Sequence, residues 1–277
     1  MDLLRDPDRT PDDLPAAAGH LRRVLVTGAE GLIGGIVRRH LADRYDLSAL
    51  TLAPADFPSH VADIADIDAI RPAFAGVDAV VHMAGTPHVS SSWEEVLHSN
   101  IVGTRNVLEA AREAGVGCVV LASSNHAVGM YEIEAAPAIY ADDDPRVIDE
   151  WAEVRPDSDY GAGKVFAEAL GRMYADRFGM RVVCLRIGSV VADDDPTGAS
   201  VLATAAWMPW LTDADRRARL RATWLSHRDC AELIRCALDA DVAFAIVYGV
   251  SDNPRRFWSL DSAQDLLGFV PHDRAPG

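Results

Sequence analysis

A tyrosine followed four residues later by a lysine stands at Tyr160-Gly161-Ala162-Gly163-Lys164, opening a stretch with helical periodicity. On a helix the two side chains lie one turn apart on the same face. A phenol must lose its proton to act as a base, and a neighbouring ammonium favours the phenolate, so Tyr160 and Lys164 read as a tuned general base. Upstream, Ser123-Ser124-Asn125-His126 closes an apolar run that reads as a central strand. At the carboxyl edge of such a strand a hydroxyl can orient a reacting oxygen, and Ser124 is placed for that role. Alone, a tyrosine and lysine at this spacing are most often a surface pair. Their order, after a glycine turn and a strand ending in serine, argues for chemistry instead.

That glycine turn is Thr27-Gly28-Ala29-Glu30-Gly31-Leu32-Ile33-Gly34, between an apolar strand and an amphipathic helix. Glycines there permit a tight turn and a close backbone approach, so a pyrophosphate can rest on the first N–H groups and positive dipole end of the helix. Gly28, Glu30, Gly31, Leu32, Ile33 and Gly34 are therefore the candidate cofactor cradle; the alternative is a turn needed only for packing. Asp63 precedes a further crossover and could meet the adenine, or could cap a helix. The second strand ends in Leu52-Ala53-Pro54, with Asp56 beyond, so the acid expected there for the ribose hydroxyls is displaced. Glu30, just before Gly31, would repel an extra phosphate, which favours NAD over NADP; as a solvated loop charge it would carry no such meaning.

Elements to position these residues follow from the rhythm of the chain. Short β-branched runs alternate with helical patterns, predicting an α/β fold: a Rossmann-type, doubly wound parallel sheet with a small C-terminal substrate-binding portion. Strands are expected at residues 23–27, 47–52, 79–82, 117–123, 181–187 and 244–249, and helices at 32–44, 160–178 and around 230–238. A long helix at 93–114 is opened by Ser92 with Glu95 three residues on, a capping-box signature. Two stretches break the rhythm, 132–157 and 191–221, and read as lids or binding loops.

With 277 residues and 49% hydrophobic composition the chain can bury a full core, and one domain over residues 21–277 is expected. The substrate side would come mainly from 130–158, 190–226 and 250–277. Residues 1–20, rich in aspartate and proline, read as a flexible leader without the apolar stretch of a signal peptide. A net charge of −16 argues against nucleic acid and anionic membranes as partners. Cys118, Cys184, Cys230 and Cys236 lack CxxC spacing, so no metal is expected, and they suit reduced thiols in a cytoplasmic protein.

The glycine loop, the strand ending in serine and the YxxxK pair together resemble the extended short-chain dehydrogenase/reductases over nearly all of residues 21–277. Within them the chain is most similar to uronate dehydrogenases, through Ser123-Ser124-Asn125-His126 with Gly129, Arg186-Ile187-Gly188-Ser189, Thr223-Trp224-Leu225-Ser226-His227, and Tyr248-Gly249 leading to Phe257-Trp258. The resemblance implies a catalytic trio of Ser124, Tyr160 and Lys164. It implies a sugar-acid pocket lined by Ser124, Asn125, His126, Ser189, Arg219 and Phe257, and adds Ile64, Ala84, Gly85 and Asn100 to the cofactor set. The implied reaction oxidises the anomeric hydroxyl of a uronic acid with NAD, and the implied assembly is a homodimer through the helices at 93–114 and 160–178. Arg219 offers a donor fork suited to a carboxylate, though its basic run could equally be a solvated face. His126 and Ser189 have structural alternatives, as a satisfied histidine and a loop cap. The chain departs from the uronate pattern after Gly85, where Thr86-Pro87-His88 stands, and both irregular stretches are longer. A nucleotide-sugar epimerase or dehydratase and a non-catalytic dinucleotide sensor are the competing readings. An acid beside the serine is missing for the former, and an intact base is unneeded by the latter.

Overall fold

The computed structural model describes residues 22–276, so the leader expected at 1–20 lies outside the described residues. Seven parallel strands form one sheet: β1 (Arg23–Thr27), β2 (Asp46–Thr51), β3 (His60–Val61), β4 (Ala79–His82), β5 (Cys118–Ser124), β6 (Arg181–Ile187) and β7 (Phe244–Gly249). Their order is β3-β2-β1-β4-β5-β6-β7, with register fixed by pairs such as Val26↔Val81 and Ser124↔Ile187. The winding reverses between β1 and β4, and open parallel sheets bind ligands at that reversal, beyond the carboxyl ends of the strands.

Alternate residues of each strand enter opposite helical layers, because side chains along a strand alternate in direction. Val24, Val26, Val81 and Val120 pack with Ile36 and Val37 of α1 (Leu32–Leu41). Leu25, Val80, Val119 and Val182 face the other layer, which holds Val107 and Leu108. Each such side chain contributes about 1.5–3 kcal/mol when fully buried, which explains why the strands are continuous apolar runs.

Between β3 and β4 lies α2 (Ile67–Ile70), capped by Asp66 rather than Asp63. The helix expected at 93–114 is three pieces: α3 (Trp93–Glu95), a π-helical stretch Val96–Gly103, and α4 (Thr104–Glu113). Its capping box is present, with Ser92 Oγ accepting from Glu95 N and the Glu95 carboxylate accepting from Ser92 N. The irregular stretches contain most of α5 (Met130–Ala135) in one and, in the other, α7 (Val201–Thr204) and most of α8 (Asp213–Thr223). Between them runs α6 (Asp159–Phe178), started by the Ser158 side chain on Gly161 N and stopped by Gly179 at φ 67°. α9 (His227–Asp239) packs on α1, and α10 (Asp261–Leu267) follows β7.

Where β1 and β4 end side by side, His82 is buried and hydrogen-bonded to Thr27 Oγ1 at 2.7 Å and Thr104 Oγ1 at 3.1 Å. Burial, aided by the charge of Lys164, pushes its pKa down to about 3. The folded protein therefore holds a neutral ring, whereas the unfolded chain binds a proton below about 6.5. Stability should be fully present above pH 6.5 and fall as pH drops towards 3, by at most about 5 kcal/mol from this residue. Urea unfolding at stepped pH should show that slope, and His82→Gln should flatten it; identical slopes in the two proteins would remove His82 as the cause.

Candidate active site

The first half of the site is the glycine turn. Gly28 has φ 65°, and a Cβ on it would lie 2.7 Å from Ala84 N. On Gly34 a Cβ would stand 2.2 Å from Gly28 O, so α1 approaches the turn more closely than any side chain allows. Gly31 occupies the N-cap position of this helix with no side-chain cap, which leaves its first N–H groups to a ligand. Beside the turn an open cleft of about 440 Å³ is lined by Glu30, Leu32, Arg38, Arg39, Asp56 and Phe57 among others. Glu30 accepts from Leu52 N at 2.9 Å. The Glu30 carboxylate thus stands at the end of β2, where the sequence placed no acid. These residues fit a dinucleotide: a bare helix end for the pyrophosphate and a carboxylate for the ribose.

Other expected cofactor residues are engaged inside the protein. Asp63 Oδ1 accepts from Ala65 N, and Oδ2 pairs with His98 at 2.8 Å. Its expected N-cap alternative is corrected, since Asp66 holds that position. Asn100 grips the backbone of Thr86 from both sides, Thr86 N donating to Oδ1 and Nδ2 donating to Thr86 O. That grip shapes the turn at Gly85, which has φ 141°. Ala84 N donates to Thr27 Oγ1, and Ile64 is core, its carbonyl accepting from Asn106.

The second half sits at the carboxyl end of β5. Ser124 is buried at the strand terminus, and Tyr160 comes to it from the first turn of α6. Burial pushes the Tyr160 phenol up to about 12, with Asp157 adding to the rise and the neighbouring Ser124 side chain opposing it. Lys164 Nζ lies 5.4 Å from the Tyr160 ring centroid and donates to Ala122 O at 2.8 Å. Burial brings Lys164 down to about 8, so it remains mostly ammonium at neutral pH. Desolvation therefore dominates the Tyr160 phenol, with Lys164 held beside its ring.

Asn125 Nδ2 is buried beside Ser124 without a hydrogen-bond partner, a donor aimed at something other than protein. His126 Nδ1 pairs with the buried side chain of Asp157 at 2.6 Å, and the ring packs edge-on against Tyr160 and Trp207. Ser189 Oγ is hydrogen-bonded to Thr223 Oγ1 at 2.8 Å. Two expected pocket residues lie inside the protein. Arg219 is no solvated face; it is buried and bonded to Glu132. Phe257 is wholly buried against Tyr140 and Trp258. Sequence reasoning passed over Asp157, Glu132 and Trp207, which sit in the two irregular stretches where no periodicity reports burial. Behind the site, Glu168 on α6 holds Arg186 and accepts from Ser123 Oγ at 2.6 Å.

A glycine cradle at the reversal of a parallel sheet, two strands from a neighbouring serine and tyrosine, defines a Rossmann oxidoreductase of the short-chain dehydrogenase type. The chain belongs to the NAD dependent epimerase/dehydratase family, whose profile it matches over residues 24–246. That family is NAD dependent, and the relatives below are enzymes. It is 37% identical over 263 residues to an NAD-dependent glucose-6-phosphate dehydrogenase of Haloferax volcanii, covering 91% of this chain and 94% of that protein. With an L-arabinose 1-dehydrogenase (NAD(P)+) of the same organism it shares 36% identity over 261 residues, 92% and 98% of the two chains. Uronate dehydrogenase from Agrobacterium tumefaciens, solved as a mutant complexed with NAD, superposes with a TM-score of 0.74 at 32% identity over 92% of this chain and 86% of that one. Among the described residues no helix is long and apolar enough to cross a membrane.

Proposed function

We propose that the protein oxidises the anomeric hydroxyl of an aldose or uronic acid to the lactone. The observation that carries this reading is the buried Tyr160 phenol brought beside Ser124, with the unpartnered Nδ2 of Asn125 next to that serine. Ser124 and Asn125 would hold the sugar oxygens, and Tyr160 Oη, as phenolate, would take the hydroxyl proton while the hydrogen on the same carbon departs with its electron pair. When bound, NAD accepts that hydride. Lys164 would hold the cofactor ribose and stabilise the phenolate; Asp157 would fix the His126 ring so that Nε2 faces the sugar. Gly28, Glu30, Gly31 and Gly34 would hold the dinucleotide.

The names of the relatives support a sugar substrate, and the resemblance points to a uronic acid as one member of that class. Exposed Trp93, Leu97, Val102 and Met173 support a homodimer through the helices that carry them. The four buried, free cysteines suit a reducing compartment such as the cytoplasm. Purified protein given NAD and a panel of aldoses, uronic acids and simple alcohols should raise NADH absorbance only with sugars bearing a free anomeric hydroxyl. NAD that copurifies and is never reduced would instead favour the epimerase reading.

A further inference from the structure

The two irregular stretches meet beside the catalytic groups. Glu132 and Arg219 are 1% and 2% exposed and joined by two bonds, Arg219 Nε to Oε1 at 2.7 Å and Nη2 to Oε2 at 3.2 Å. Tyr140 Oη donates to the same Oε1 at 2.8 Å, and Phe257 packs on the Tyr140 ring. Trp207 touches both this pair and the catalytic side: its ring lies 5.6 Å from Arg219 Cζ and 5.2 Å from the His126 ring.

Given the anomeric oxidation proposed above, we infer that Glu132 and Trp207 select an uncharged aldose and reject sugars with an anionic group at the end remote from C1. The guanidinium fork that could hold a substrate carboxylate is taken by a carboxylate of the protein. An anionic sugar reaching Arg219 must either displace Glu132, stranding a buried charge, or lie beside it as a like charge. Asp157, buried behind His126, adds a second negative group on the same side. Arg186 offers no substitute, since Glu168 takes its guanidinium. Trp207 instead presents an aromatic surface next to His126, suited to the C–H face of a neutral sugar ring. Discrimination of this kind works by placing a repulsive element against the wrong substrate.

The test compares sugars that differ only at C6: glucose, glucuronate and glucose 6-phosphate, with galactose and galacturonate as a second set. In the wild-type protein the neutral member should have the higher kcat/KM by about tenfold or more, measured by NADH formation. In Glu132→Gln, which keeps the volume and an acceptor while removing the charge, the ratio of kcat/KM for the uronate to that for the neutral sugar should rise about tenfold, through KM. A wild-type ratio near unity, or a preference for the uronate or the phosphate, overturns the inference while leaving anomeric oxidation standing. No NADH from any sugar overturns the oxidation reading and this inference together. Should Glu132→Gln fail to fold, the wild-type ratio still decides.

Discussion

Replacing Tyr160 with phenylalanine should lower kcat about a thousandfold, with the affinity for NAD changed little. The change deletes one oxygen from a ring packed against His126 and leaves the helix, its Ser158 cap and Lys164 in place. Ser124 keeps Asn125 Oδ1 as acceptor at 3.2 Å. The fold therefore has no reason to fail, and the loss isolates proton transfer from binding. Single-turnover NADH formation and equilibrium binding of NAD, measured on the same preparation, separate the two. A loss under about tenfold would move the base to another group, His126 being the nearest alternative. Because burial pushes the phenol up to about 12, the phenolate fraction grows roughly tenfold per pH unit below that value. Oxidation by the wild-type protein should consequently quicken from pH 7 upward until Lys164, near 8, sheds its proton.

Glu168→Ala should destabilise the protein by about 3–5 kcal/mol, roughly 10 °C in Tm. Its carboxylate accepts from Arg186 Nε at 2.8 Å, Arg186 Nη2 at 2.9 Å and Ser123 Oγ at 2.6 Å, all buried. Removing it leaves a guanidinium in the core with only Tyr248 Oη, at 3.0 Å, as a named partner. A buried cation stripped of its anion is far costlier than a missing pair. Replacing both residues by methionine should therefore restore much of the loss. Thermal unfolding of the single and double variants measures this, and equal Tm values for the two would show that the charge is not what costs. The pair also ties α6 to β5 and β6, so the single variant should lose turnover before it unfolds.

Most of the scaffold was readable because its signals are local. β-branched runs at residues 79–82 and 181–187 name buried parallel strands, and Ser92 with Glu95 names a helix start, each through contacts within a few residues. The π-helical stretch Val96–Gly103 was not readable: it keeps the apolar content of an ordinary helix while its hydrogen bonding shifts. The two-residue strand β3 is too short to carry a period. The same boundary divides the site. Ser124, Tyr160, Lys164 and the glycines sit at fixed points of regular elements, whereas Glu132, Asp157 and Trp207 matter only through partners that are far away in sequence, such as Arg219 and His126.

By itself the sequence determined the parallel sheet, the glycine cradle and the identity of the groups that could move a proton, since periodicity and motif spacing act over one turn or one strand. Tertiary structure alone decided that Glu30 reaches the end of β2, that burial holds the Tyr160 phenol high, and that Arg219 already has a carboxylate. Charge pairing and desolvation depend on distances through space, and those exist only once residues 87 positions apart are brought within 2.7 Å.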